Sequence, residues 1–441
     1  MNTRYYFLLL PLALASCDMM PSWLGGSDTP KKSTKLEGER LPVLQEATAL
    51  APDTALAAAP AGIPSAEENA DWPQHSNTLA NPALPAQLEH HDSATAGKGN
   101  SFDYKLVTAP VVGGSSVFAM DALGRISAHD AKKIRTRRWV SMGVASQDDE
   151  PVMGGGLAYD NGKLYAACGR GLVAAFDAAT GKELWRQAIG TPVRSAPRVQ
   201  GNHVYIVTDD SQFFALDSAS GSILWSHRGV NEGTGFLVAA TPAATDNLAF
   251  APYATGEIYA LHSESGEPAW NDALVSRQHT GGAAFFTALA ADPVVAADTL
   301  YVAGSAKELA AFDVDTGRRL WEQPVSSVAT PWVAGDVLYL LTSDDMVTAF
   351  ERADGRVRWS HQLRIYKDQK DKKDRYSWNG PVLAGGRLLI VGAHGKMVEL
   401  SPQDGSQLAE TDIPEGIYTA PVVAGGMLYL VAADATLYAL Y

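Results

Sequence analysis

Two cysteines, ten histidines and a few neighbouring carboxylates are the groups in this chain best able to do chemistry. Paired carboxylates can hold a cation, and Asp313-Val314-Asp315 and Asp209-Asp210 have that look. Both lie at turns that other parts of the chain form with no carboxylate pair, so they read as hairpin residues. The ten histidines are scattered, His90-His91, His203, His227, His262, His279, His361 and His394 among them, and suggest no common centre. No Gly-x-Ser-x-Gly elbow offers a serine nucleophile, and no Cys-x-x-Cys-His offers a haem attachment. Cys168 is a lone thiol beside Gly169-Arg170-Gly171 in a strand-like run, where cysteine usually serves as a small apolar core residue. The inventory predicts no catalytic residue, no cofactor and no metal. Binding is what remains.

Cys17 stands apart. Met1 to Arg4 carries one positive charge, Tyr5 to Leu14 is apolar, and Leu14-Ala15-Ser16-Cys17 ends the run with small residues. About ten apolar residues are too few to cross a bilayer core, which takes about twenty, so the segment reads as a secretory signal. Its last four residues resemble a bacterial lipobox, in which the cysteine thiol takes a diacylglycerol and its freed amine a third acyl chain. The resemblance implies that residues 1–16 are removed and that Cys17 anchors the chain to a membrane. At about 0.8 kcal/mol per buried methylene, three chains hold far more firmly than one. Cys168 would then be the one free thiol, with no intramolecular disulfide possible. The formal charge of −14, or −15 once Arg4 leaves, argues against nucleic acid and against anionic membrane as general partners.

The elements that must present these groups follow from composition and period. Residues 17–85 are rich in Ala and Pro without sustained periodicity, and read as a disordered tether; Leu50 to Pro64, nearly all small residues, is expected to be mobile. Gly38 to Leu44 and Asp71-Trp72-Pro73-Gln74 interrupt it and are expected to dock locally. From Leu106 the chain repeats. A Pro or its equivalent followed eight residues later by an aromatic or Leu recurs at Pro110/Phe118, Leu157/Tyr165, Pro197/Tyr205, Pro242/Phe250, Pro293/Tyr301, Pro331/Tyr339, Pro381/Leu389 and Pro421/Tyr429. A Trp follows at a fixed offset (Trp185, Trp225, Trp270, Trp321, Trp359, with Trp139 displaced by one), four residues after a Gly. Arg135 breaks the Gly rule in the first unit, and Ala409 takes the Trp slot of the seventh.

Each unit reads as four short strands, as in Ala196 to Val199, His203 to Thr208, Phe213 to Asp217 and Ile223 to Ser226. The recurring Asp-x-x-Thr/Ser-Gly suits a hairpin whose Gly takes positive φ. Eight such units imply an all-β, eight-bladed β-propeller over residues 86–441. The eighth unit stops after its third strand, so Leu88 to Ala96 is expected to close the ring, with Asp92 standing where other units carry Trp.

The repeat Pro-x-Val-x-x-Gly-x-x-Tyr…Ala-x-Asp-x-x-Thr-Gly-x-x-x-Trp resembles the PQQ-like propeller family across residues 106–441. Together with the lipobox and tether it resembles the BamB lipoproteins of the bacterial β-barrel assembly machine, and the Gly-Glu-Arg and Trp-Pro-Gln pieces resemble alphaproteobacterial members. Quinoprotein dehydrogenases share the blades, but they have an adjacent Cys-Cys disulfide, whereas Cys17 and Cys168 lie 151 positions apart. The resemblance implies a non-enzymatic scaffold for insertion of β-barrel proteins. Its partners would be a BamA-type outer-membrane barrel protein, other assembly-machine lipoproteins and unfolded β-barrel clients. It also implies a partner surface on the loop before the fourth blade, here Thr234-Gly235-Phe236-Leu237, where Leu237 fills the family's Arg slot. The family's Asp-x-Asp before the fifth blade corresponds to Ala288-Leu289-Ala290, so both charges are missing. Phe236 and Leu237, with Phe285 and Phe286 on the loop before the fifth blade, are the candidate partner-binding residues. The resemblance implies the outer membrane, facing the periplasm. Asp18, next to the lipidated cysteine, points instead to the inner membrane.

Overall fold

Strict apolar alternation broken by Gly and Asp every few residues leaves little choice but short antiparallel strands, and each unit forms one four-stranded sheet. The computed structural model describes residues 50–74, 81–100, 108–146, 154–230, 240–274, 289–305 and 308–441. Eight such sheets are present among these residues. The third is built from Arg198–Gln200, His203–Val207, Gln212–Asp217 and Ile223–Arg228, within two residues of the sequence expectation at every strand end. The middle strands are almost wholly buried, as in His203–Val207 and Val337–Leu341, and the outer strands are mostly exposed.

The Trp–Gly spacing has a direct structural cause. Each indole lies on the hairpin glycine of the next blade, so close that a Cβ on Gly181, Gly221, Gly266, Gly317, Gly355 or Gly405 would sit 2.3–2.6 Å from the ring. Each indole Nε1–H also donates to the carbonyl one residue past the start of that turn: Trp139 to Ala178 (3.0 Å), Trp270 to Val314 (2.8 Å), Trp321 to Arg352 (2.8 Å). The glycines have φ near +70°, a conformation only Gly adopts cheaply. One residue type thus satisfies the turn and admits the neighbour.

Two seams lack the Trp, and both follow from how the ring closes. His91–Thr95 pairs antiparallel with Thr436–Leu440 and completes the eighth blade, as expected, with Asp92 opposite Ala439 in the Trp slot. Between blades eight and one, Asp92 meets Arg135 Nε at 2.9 Å, so the two positions that break the Trp and Gly rules pair with one another. In blade eight the fourth strand comes from elsewhere in the chain, so no third-to-fourth hairpin exists for a blade-seven Trp to cover. Ala409 in that slot is the consequence.

The stretch expected to be mobile is instead laid against the ring. One compact unit spans Ala49–Tyr441, so the ring-associated chain begins well before residue 86. Asp53 caps a short helix, Thr54–Ala58, accepting from Ala55 N and Leu56 N. Asp53 also pairs with Arg356 at 2.8 Å, and its amide donates to the Val357 carbonyl. Arg358 donates to Ala59 O (2.8 Å), and Gln403 exchanges two hydrogen bonds with Ala61. Composition cannot reveal this, because the segment docks mainly through its own backbone groups, which carry no residue type, on partners about 300 or more positions away. The Lys/Asp-rich insertion Tyr366 to Tyr376 is an exposed hairpin tied down by Arg375 to Asp345 (2.8 Å) and by Tyr376 stacked on Trp378.

Candidate partner-binding face

Antiparallel order gives the ring two different rims. Turns between first and second strands and between third and fourth lie on one rim; turns between second and third strands and the inter-blade loops lie on the other. The N-terminal segment lies against the first rim at blades six, seven and eight. Its carbonyls accept from Asp336 N (from Gly62), Gly385 N (from Pro82) and Gly425 N (from Asn69), all in first-to-second turns. It then runs along the inner edges of the innermost strands: Trp72 and Val112 exchange two backbone bonds of 2.8 Å, and Tyr159 N donates to Pro73 O. The Gln74 side chain bonds both the amide and the carbonyl of Val199. The Trp-Pro-Gln piece therefore docks, though on remote blades one to three and not locally, while Gly38 to Leu44 lies outside the described residues.

Trp72 is 5 % exposed and stacks on Trp332, with ring centroids 5.8 Å apart. It lines a central cavity of about 290 Å³ whose wall comes from the starts of the innermost strands, at Pro110, Leu157, Ala196, Thr241, Pro331 and Pro421 among others. Asp292 is buried in this wall and accepts from Thr241 N at 2.7 Å. No group of three or more His, Cys, Asp or Glu side chains is placed to hold a metal among the described residues.

The opposite rim carries exposed apolar side chains on or beside inter-blade loops: Met142, Val230, Val328 and Tyr418, each about half exposed. Burying such groups against a partner is favourable at roughly 25 cal/mol per Å². The loops before the fourth and fifth blades leave from this rim, after Val230 and after Leu274. Phe236, Leu237, Phe285 and Phe286 themselves lie outside the described residues, as does Cys17.

The acid pairs do structural work. Asp313 accepts from Thr316 Oγ1 (2.6 Å) and Thr316 N (2.9 Å), and these bonds hold its carboxyl below the usual range. Asp177 and Asp217 do the same with Thr180 and Ser220. Asp209 pairs with Arg194, and Asp210 accepts from Thr208 and Gln212. Cys168 is fully buried, which pushes its thiol up and away from reactivity. His227 Nδ1 lies 2.8 Å from the Tyr253 hydroxyl and its ring packs against Tyr259, a contact between blades three and four that sequence spacing gave no sign of.

A family model described as outer membrane protein assembly factor BamB matches residues 124–361 and 368–441. The chain belongs to the BamB family. A BamB of Yersinia pestis is 25% identical over 354 residues, covering 79% of this chain and 87% of the relative. A protein of Rickettsia prowazekii is 29% identical over 221 residues, 49% of this chain and 53% of the relative. The chain thus spans about half the length of the Rickettsia relatives it matches. Among solved structures, BamB from Moraxella catarrhalis superposes with a TM-score of 0.66 at 20% identity, covering 79% of this chain and 99% of that one. A europium-containing methanol dehydrogenase gives 0.62 at 16% identity, covering 82% and 89%. At these identities both likenesses show the fold alone. Outer membrane protein assembly is named by the family description, and not by the propeller.

Proposed function

We propose that the protein is a non-enzymatic scaffold, lipidated at Cys17 and held at the outer membrane facing the periplasm, that supports assembly and insertion of β-barrel proteins. Its direct partner is a BamA-type barrel protein, bound through the inter-blade rim with Phe236, Leu237, Phe285 and Phe286 as apolar anchors. The observation that carries this reading, beyond family membership, is the asymmetry of the two rims. One rim carries the chain's own N-terminal segment on its turns in blades six, seven and eight, while the inter-blade loops of the other leave Met142, Val230, Val328 and Tyr418 exposed. Among the described residues no helix is long and apolar enough to cross a membrane. Asp18 favours a second reading, an inner-membrane periplasmic scaffold with another client.

Affinity purification of the tagged, lipidated protein from gently solubilised membranes tests this. A BamA-type barrel should be recovered, and Phe236→Asp with Leu237→Asp should cut that recovery at least about tenfold, as expected for loss of central apolar anchors. Recovery of inner-membrane proteins without such a barrel would overturn the proposal in favour of the second reading.

A further inference from the structure

The outermost strand of the first blade has a charge that the rest of the molecule does not share. Lys132-Lys133-Ile134-Arg135-Thr136-Arg137-Arg138 puts five cations into seven positions, in a chain of formal charge −14. The strand, Lys133–Ser141, has nine residues against five or six in the outer strands of the other blades, the excess being bulged out on either side of the His129–Arg137 pair so that its ladder keeps five paired positions. The corresponding strand of the seventh blade, Gln407–Asp412, carries Glu410 and Asp412. A basic outer edge is therefore not a general feature of these blades.

The geometry presents these cations on a fixed backbone. Ile134 is buried, and its carbonyl lies 2.7 Å from His129 Nδ1, which ties the strand to its neighbour. Lys133–Ser141 ends its sheet, so one row of its N–H and C=O groups has no strand beside it. Arg135 and Arg138 neutralise the nearby acids, at 2.9 Å to Asp92 and 2.9 Å to Asp130. Lys132, Lys133 and Arg137 are exposed and have no ion pair among the described residues. The strand runs out into exposed Val140 and Met142.

We propose that this edge docks an extended acidic segment of a partner protein, which joins the first blade as a fifth strand. An added strand lies about 4.8 Å away along Arg137–Ser141, where its carboxylates meet Arg137 and, beside the bulge, Lys133, and its apolar residues meet Val140 and Met142. A membrane surface fits less well. Beyond a Debye length of about 8–10 Å only net charge is felt, and the net charge of the molecule is negative. This edge is separate from the loops before blades four and five, so the scaffold proposal stands whatever its outcome.

The test uses the full chain and a fluorescent peptide alternating Glu and Val, long enough to match the strand. Saturable binding is expected, weakening with salt, and at least about tenfold weaker for Lys133→Glu with Arg137→Glu. The peptide with a central Pro, which cannot complete the ladder, and its Lys/Val counterpart should not bind. Lys133→Gln with Arg137→Gln should give an intermediate loss, and both variants should melt like the parent protein, since both side chains are exposed. Absent binding, or binding that charge reversal leaves unchanged, would overturn the proposal. So would reversal-sensitive binding to phosphatidylglycerol vesicles without peptide binding, which would assign the edge to membrane. Reversal-sensitive dimerisation without peptide binding would assign it to a second copy.

Discussion

His129, His227 and His361 sit deep enough that desolvation holds each ring below its ordinary pKa of 6.5. In the unfolded chain they take protons near that value, while in the folded chain they resist. The unfolded state therefore binds more protons below it, so stability is fully present above 6.5 and is lost as pH falls toward the folded values. The hairpin carboxylates act lower down. Asp177, Asp217 and Asp313 are held below 3.8 by their Thr or Ser partners, so their contribution is present above that value and disappears beneath it. Melting temperature should be flat above neutrality and decline through the histidine range before these three carboxylates titrate. His129→Gln should reduce that first slope while also lowering the plateau, because the ring's contact with Ile134 O is lost. A profile flat down to the carboxylate range would show that these rings are not desolvated.

Among the elements, the hairpin between the third and fourth strands carries the indole contact between neighbouring blades, and comparing it with a first-to-second turn separates two reasons for glycine. Gly201 has φ +58° and open space where a Cβ would point; Gly317 has φ +68° with Trp270 2.5 Å from that point. Gly201→Ala should cost about 1 kcal/mol, the backbone strain alone. Gly317→Ala should cost roughly 3 kcal/mol or more, because the indole must also move, and chemical denaturation of the two variants measures the difference. Equal costs would mean that Trp270 yields freely and that the contact contributes little. This hairpin was legible in the sequence because both halves of the contact recur at a fixed offset. The same periodicity exposed the seam, since Asp92 and Arg135 each broke the rule, but their pairing across the closure could not be read. Where the N-terminal segment docks was illegible for a different reason. Ala61 meets Gln403, 342 positions away, and Trp72 meets the backbone of Val112; neither partner advertises itself by residue type.

The whole ring is closed twice, once at its outer edge and once at its inner edge. The outer closure is the strand His91–Thr95, whose seam replaces a Trp on Gly with an ion pair in which Arg135 is largely exposed, worth at most about 1 kcal/mol. The inner closure is the segment that crosses from Asn69, bonded to Val423 O, through Trp72 at Val112 to Gln74 at Val199, and so spans blades eight, one, two and three. The weak seam lies between blades eight and one, inside that span. The segment therefore staples the ring where its side-chain contacts are poorest, and Trp72 supplies most of the burial. Trp72→Ala should lower stability by about 3 kcal/mol while the strand pairing of His91–Thr95 persists, so hydrogen exchange should quicken at the inner edges of blades one to three first. Deleting residues through Thr95 removes both closures and bares the edge of Thr436–Leu440; that protein should lose its single cooperative melt and associate edge to edge. If Trp72→Ala melts like the parent, the segment is a passenger on a ring that the outer strand alone holds shut.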